Sequence, residues 1–409
     1  MKVLLVGSGG REHALGWKLA QSDRVRELMS LPGNPGLAEL GAIVEGLDPT
    51  DVGAVAALAR IHAVDLVVVG PEAPLAAGVV DAVASLGIPV FGPTRSAARL
   101  EASKTFAKEV MERAGVPTGR AWTFDDARDA HAHIADRTGP YVVKADGLAG
   151  GKGVLVTDSA DDAHAWVDRC FSGAFGDSGS RVVIEEFLSG PEVSVFVLCT
   201  GTEAVALAPA RDYKRLGDGD TGPNTGGMGS YSPVEDLPRG LIESALDEIV
   251  RPTLRQMAAD GNPYTGFLYA GLVLTEEGPK VLEFNARLGD PETQVLMPRL
   301  ESDLVDLIET ALAGRPDQPK WSDQAAVERG KTIFAEQCAS CHGTDGKGKQ
   351  EQGAPNLTDA IWLYGDSRPA IVESIRTGRG GVMPAWLGRL DPVTLKALAV
   401  YVHSLGGGQ

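Results

Sequence analysis

The chain is poor in cysteine, in basic charge and in long apolar runs. Its four cysteines divide unequally. Cys170 ends the helical stretch "AHAWVDRC" and Cys199 ends the strand "EVSVFVLC", so both read as buried apolar fillers, and only Cys338 and Cys341 carry chemistry. Basic residues number 38 against 55 acidic ones, a formal charge of -17, which excludes a nucleic-acid partner and an anionic membrane surface. No run reaches the roughly 18 apolar residues of a membrane span. The N-terminus passes from one lysine into a short apolar strand and a glycine-rich turn, without the apolar region and cleavage site of a secretory signal, so the expected location is cytoplasmic. Glycine, by contrast, is plentiful: its 51 residues are spread without a repeat and read as tight turns near ligands. At roughly 150 residues per domain, 409 residues predict two to four domains.

Residues 1–93 alternate strand and helix: "KVLLVG", "EHALGWKLAQS", "VDLVVVG", "LAAGVVDAVASLG", "IPVFGP". Continuous apolar strands separated by helices predict a parallel sheet covered on both faces. The turn "GSGGREH" stands where the first strand hands over to a helix. It reads either as a tight turn or as a phosphate site for a small substrate. It is not a dinucleotide fingerprint, because the third glycine of that pattern would fall on Glu12.

From about 94 to 320 the strands become rich in β-branched residues, with glycine loops between them. "PYVVKADGLAGGKGVLV" places Lys144 on a strand, then glycines at 147, 150, 151 and 153, then a second strand. Such a loop can fold its amides over a polyphosphate while Lys144 and Lys152 neutralise charge. "RVVIEEFLSGPEVSVFVL" clusters Glu185, Glu186 and Glu192 around a strand edge that can offer backbone donors and acceptors to a purine while a carboxylate holds ribose hydroxyls. In "PKVLEFNARLGDPETQ", strand alternation sets Glu283 and Asn285 on one face and Leu282 and Phe284 on the other. Two oxygen ligands on one face suit Mg²⁺, which keeps water and substrate phosphate in its other positions. Arg287 continues that face, and Asp290 and Glu292 follow in the turn.

These motifs, with "GNPG", "VGPEAPLAAGVVD", "SKTFAKEVM" and "RDYKRLGDGDTGPNTGGMGSYSP", occur in an order that resembles the phosphoribosylamine–glycine ligases, ATP-grasp enzymes of purine biosynthesis, over about residues 1–325. Leu288 and Gly150 depart mildly from the family, which often has Phe and Ala there. The resemblance implies that ATP phosphorylates glycine to glycyl phosphate and that phosphoribosylamine displaces the phosphate, giving glycinamide ribonucleotide. It further implies that Lys104, Lys144, Lys152 and the loop with Gly147, Gly151 and Gly153 bind ATP phosphates. The strand from Glu185 through Glu186 to Leu188 would hold adenine, Glu192 the ribose, and Glu283 with Asn285 would carry Mg²⁺ or Mn²⁺. Arg287, Asp290 and the loop from Asp212 to Met228 would shape the sites for glycine and phosphoribosylamine, with Arg287, Asp290 and Asp212 as the catalytic set. The family continues into a further α/β domain where this sequence changes subject, so impaired ligase activity is expected.

From "AAVERGKTIFAEQC" onward the chain resembles a class I cytochrome c, in particular the C-terminal haem domain of the multihaem subunit of C-family haem-copper oxidases. "CASCH" has the C-x-x-C-H spacing of haem c attachment. The resemblance implies thioethers from Cys338 and Cys341, His342 as proximal iron ligand, and Met383 of "GGVMPAW" as distal ligand. In the last helix, Leu395, Leu398, Val402 and Leu405 share a face that should pack on the first helix near Phe334. Zinc is the rival for the two cysteines, but no second ligand pair lies at the usual spacing.

The expected architecture is an α/β N-terminal parallel-sheet domain (1–100), α+β ATP-grasp domains (101–325) and a small all-α cytochrome c domain (326–409). Three readings follow: a cytosolic ligase acting on small molecules, an electron-transfer haem protein with a redox partner, or a non-functional join of the two. Haem c is attached outside the cytoplasm, in conflict with the expected location, so haem and a redox partner are expected only if the chain is exported and matured. Otherwise Cys338 and Cys341 should be reactive free thiols.

Overall fold

Val3, Leu4, Leu5 and Val6 are all fully buried, because the strand they form is the centre of a five-stranded sheet. In this computed structural model, which describes residues 1–150, 152–218, 221–321, 324–349, 354–359, 362, 364–365, 368–378, 386 and 389–407, the sheet runs β3-β2-β1-β4-β5. Its strands are β1 (Lys2–Gly7), β2 (Glu27–Pro32), β3 (Ala42–Ile43), β4 (Leu66–Val69) and β5 (Val90–Phe91), all parallel. Burial on both faces explains why β1 and β4 read as unbroken apolar runs. β2 and β3 were not legible in the sequence. The stretch "LAAGVVDAVASLG", expected as one helix, is two, Glu72–Ala77 and Val79–Ala84, divided at Gly78 with φ +100.

Two antiparallel sheets follow. The smaller, β6-β9-β7-β8, comprises β6 (Ala121–Phe124), β7 (Tyr141–Ala145), β8 (Val154–Thr157) and β9 (Val182–Glu185). Helices Ala127–Ala135 and Ala160–Arg169 cover one face, packing Ala130, Ile134, Ala163 and Val167 on Val143, Ala145, Val182 and Ile184. The alternate residues Val142, Lys144 and Glu185 are thereby turned to the opposite face. The larger sheet, β11-β10-β16-β17, contains β10 (Glu192–Gly201), β11 (Glu203–Ala206), β16 (Tyr264–Thr275) and β17 (Gly278–Asn285). Between β11 and β16 lie two short ladders, β12 (Arg211–Asp212) with β15 (Ser230–Tyr231) and β13 (Arg215–Gly217) with β14 (Thr221–Asn224). Cys170 and Cys199 are fully buried, in agreement with their reading as fillers.

The chain divides into two compact units, Met1–Trp321 and Ser322–Gln409. The second is helical: Gln324–Gln337, Ala339–His342, Arg368–Thr377 and Pro392–Val402. As its spacing predicts, the last helix buries Leu395, Leu398 and Val402 in a core with Phe334, whose ring lies 5.3 Å from that of Tyr401. Gly330 permits this close crossing, since a Cβ there would sit 2.2 Å from the Ala397 carbonyl oxygen. Among the described residues no helix is long and apolar enough to cross a membrane.

Candidate functional site

A cleft of about 460 Å³ opens within the first unit. Its floor is the uncovered face of the smaller sheet. Lys144 and Glu185 pair there at 3.0 Å, and Lys108 reaches the other Glu185 oxygen at 3.0 Å. Burial pushes the Glu185 carboxyl up, but the two ammonium groups outweigh it and hold the acid below its ordinary value. Lys104 opens the helix Lys104–Ala114 and donates to the Gly147 carbonyl at 3.1 Å, anchoring the start of the glycine loop. Burial lowers its pKa, with Glu283 opposing.

The opposite wall comes from the larger sheet. β17 carries a bulge at Leu282, where Gly271 pairs with Glu283 and Leu272 with Val281. The bulge frees the Leu282 carbonyl to accept from Lys144 at 3.4 Å and sets Glu283 and Asn285 on the cleft. Burial pushes the Glu283 carboxyl up, but Lys214, Lys144 and Lys104, with a hydrogen bond from Asn285, bring it below its ordinary value, so it is an anion at neutral pH. An ionised carboxylate beside an amide oxygen fits Mg²⁺.

Arg287 is held by two carboxylates. Glu72 accepts its Nε at 3.1 Å, Glu101 pairs with Nη2 at 2.8 Å, and Glu101 also accepts the Ala286 amide at 2.7 Å. Burial alone would lower the Arg287 pKa, but Glu101 and Glu72 raise it. Arg11 joins this network through Glu72 at 3.9 Å and pairs on its other side with Glu12 at 2.5 Å. Glu12 in turn accepts the Gly9 amide at 2.7 Å, so the "GSGG" turn is tied to the cleft by a chain of ion pairs. A third cluster surrounds Lys214, which pairs with Glu192 at 2.6 Å. Burial raises the pKa of Asp212, and burial with Asp212 nearby raises that of Glu292, whose Oε1 accepts from Ser194 Oγ at 3.1 Å.

The structure thus gathers Lys104, Lys144, Gly147, Gly153, Glu185, Glu186, Leu188, Glu192, Asp212, Glu283, Asn285, Arg287 and Asp290 around one cleft. Lys152 is not among them. The turn closed by its amide on the Ala149 carbonyl leaves it exposed to solvent. Gly151 lies outside the described residues. Glu192, expected to face a ribose, is engaged by Lys214, and the Glu186 carboxylate accepts the Arg120 amide at 3.2 Å. Sequence reasoning missed Lys108, Lys214, Glu72, Glu101 and Tyr269, a cleft residue whose hydroxyl oxygen lies 2.8 Å from Ser194 Oγ. Lys108 carried a signal, standing one helical turn after Lys104. Lys214 did too, two residues after Asp212.

In the second unit, Cys338, Cys341 and His342 lie at the end of the first helix and on the short one after it. His342 Nδ1 is 3.1 Å from the Pro355 carbonyl oxygen. A carbonyl only accepts, so the neutral imidazole carries its proton on Nδ1 and leaves a lone pair on Nε2 for a metal. The two thiols differ in their surroundings: burial and then Cys341 raise the Cys338 pKa to about 11, while Cys341 is exposed. Met383 lies outside the described residues.

The fold around the cleft is that of an ATP-grasp enzyme. Residues 1–101 match the family described as phosphoribosylglycinamide synthetase, N domain, and residues 102–293 its ATP-grasp (A) domain. The phosphoribosylamine–glycine ligase of Rhizobium meliloti is 54% identical over 329 residues, 80% of this chain and 78% of the relative. That of Ralstonia nicotianae is 46% identical over 406 residues, 98% and 94% of the two chains. The crystal structure of the Thermotoga maritima phosphoribosylamine–glycine ligase superposes with a TM-score of 0.67 at 36% identity, covering 78% of each chain. A biotin carboxylase from Campylobacter jejuni, at 18% identity and a TM-score of 0.60 over 78% of this chain and 73% of its own, shares the fold alone. The chain belongs to the phosphoribosylamine–glycine ligase family. Residues 325–402 separately match the family described as cytochrome C oxidase, cbb3-type, subunit III.

Proposed function

We propose that the first unit ligates glycine to phosphoribosylamine at the expense of ATP. The observation that carries this reading is the cleft itself, which sets four lysines, a glycine loop and an ionised Glu283 beside Asn285 around one space. The triphosphate lies between Lys104, Lys144 and the amides of the 147–153 loop. The backbone from Glu185 to Leu188 meets adenine, and Glu192, after sharing or releasing Lys214, meets the ribose. Glu283 and Asn285 would hold Mg²⁺, which when bound would neutralise the phosphate oxygens.

A glycine carboxylate is a poor electrophile. Its oxygen attacks the γ-phosphorus and ADP leaves, giving glycyl phosphate. The amine of phosphoribosylamine then attacks the acyl carbon, the C–O bond to phosphate breaks, and the amine proton is lost. Arg287, fixed by Glu72 and Glu101, presents positive charge to the carboxylate and the acyl phosphate. Asp212 and Asp290 face the amino groups, and Thr225 and Gly226, which line the cleft, help exclude water from the acyl phosphate. Glycine-dependent release of ADP that also requires phosphoribosylamine tests this reading.

A second activity belongs to the second unit, where His342 is oriented by Pro355 and the segment matches a cytochrome family. There Cys338 and Cys341 would form thioethers to a haem and His342 Nε2 would ligate its iron, and a bound haem would supply one-electron transfer to a redox partner. Coexpression of the exported chain with a haem c maturation apparatus tests it: a Soret band that survives acid extraction is expected, and its absence contradicts the assignment.

A further inference from the structure

Away from the cleft, the two helices that back the smaller sheet bring three side chains together. His131 Nδ1 lies 2.7 Å from His164 Nδ1, and His131 Nε2 lies 2.9 Å from Asp168 Oδ1. His131 stands on the helix Ala127–Ala135, and His164 and Asp168 are one turn apart on Ala160–Arg169. None of the three lines the cleft.

The hydrogen bonds assign the protons. An ionised Asp168 only accepts, so His131 donates from Nε2 and its neutral ring presents a lone pair at Nδ1. His164 must then donate from Nδ1 to that lone pair. A single proton therefore sits between two imidazole nitrogens on neighbouring helices, and a cation can take its place once His164 shifts its proton to Nε2. Asp168 would be the outer carboxylate that fixes the tautomer of a ligating histidine.

The geometry points to a two-histidine site for a borderline divalent cation, Ni²⁺ or Cu²⁺, formed by His131 and His164 with Asp168 behind His131. Imidazole nitrogen suits these ions, and among first-row divalent cations affinity rises to Ni²⁺ and then Cu²⁺. The 2.7 Å between the two Nδ1 atoms is a hydrogen bond in which the nitrogens meet head-on, so the rings must turn to ligate one ion. His131 is 30% exposed and His164 partly so, which leaves both rings room to turn about χ2 and converge on an ion whose other positions are filled by water. Among the described residues no group of three or more His, Cys, Asp or Glu side chains could hold a metal ion, so two nitrogens are all this site supplies.

The test is titration of the full chain with Ni²⁺ or Cu²⁺ by calorimetry in excess Mg²⁺, which occupies hard oxygen sites and ignores imidazole. With Cys338→Ser and Cys341→Ser introduced so that the thiols take up no ion, one binding step is expected that disappears in His131→Ala and in His164→Ala and weakens about 10- to 100-fold in Asp168→Asn. Bound Cu²⁺ should show superhyperfine coupling to two imidazole nitrogens by electron paramagnetic resonance, a readout that needs no variant to fold. No uptake at millimolar ion, uptake unchanged in both histidine variants, or coupling to fewer than two nitrogens would overturn the site.

Discussion

Lys144 and Glu185, on the antiparallel strands β7 and β9, pair at 3.0 Å with each side chain only 4% exposed. Val142 stands opposite Glu185 in the ladder, so Lys144, two residues on, shares its face. Removing one partner of such a buried pair leaves an uncompensated charge. Lys108 remains on the carboxylate, so Lys144→Met should cost roughly 2–3 kcal/mol, less than a full rupture. Urea unfolding measures that loss. The same variant should lose most of the rise in Tm that millimolar Mg-ATP gives the wild type.

The acid limb of stability should carry the same signature. The Glu185 carboxyl lies below its ordinary 4.5, because Lys144 and Lys108 outweigh burial. A carboxyl depressed in the folded state stabilises fully above its unfolded pKa and loses that contribution as pH falls through the folded value. Tm should therefore drop on acidification below about pH 4.5, and Glu185→Gln, already destabilised at neutral pH, should show a flatter acid limb. Calorimetric melts from pH 7 to pH 3 give the comparison.

Gly78 should tolerate no side chain without cost. It occupies φ +100 between two helices, and the nearest atoms to an added Cβ, Arg95 Cβ and Cδ, are at 3.5 Å, so the penalty is backbone strain and not a clash. Gly78→Ala is expected to destabilise by about 1–2 kcal/mol with activity intact at low temperature. Urea midpoints decide.

The thiols should separate by rate. Near pH 8 an alkylating reagent should modify exposed Cys341 well before Cys338, whose pKa of about 11 leaves on the order of one thiolate per thousand. Fully buried Cys170 and Cys199 should react only on unfolding. Peptide mass mapping over time shows the order.

Much of the fold was legible because β1 and β4 are buried on both faces and so spell continuous apolar runs, and because the glycine loop and "LEFNARLGDPE" are local in sequence. β3 was not legible, being two residues long. Gly78 was read as an interior helical residue, since one glycine in an apolar periodic stretch does not announce a positive φ. At the site, the residues on the two strand faces were readable by alternation, whereas the partners of Arg287 were not. Glu72 and Glu101 come from separate helices 215 and 186 residues away (287 minus 72, 287 minus 101), and only the folded sheet brings them to the guanidinium. Lys152 shows the converse: a lysine in the right motif that the turn at Ala149 directs outward.

Glu283 offers the most direct test of the central claim. With Mg-ATP, glycine and phosphoribosylamine, the wild-type chain should release ADP and form glycinamide ribonucleotide one for one. Glu283→Ala, whose side chain faces the cleft and not the core, should keep a cooperative melt and lose at least about 100-fold in turnover. ADP release that needs neither glycine nor phosphoribosylamine, or full turnover in a folded Glu283→Ala protein, would contradict the assignment.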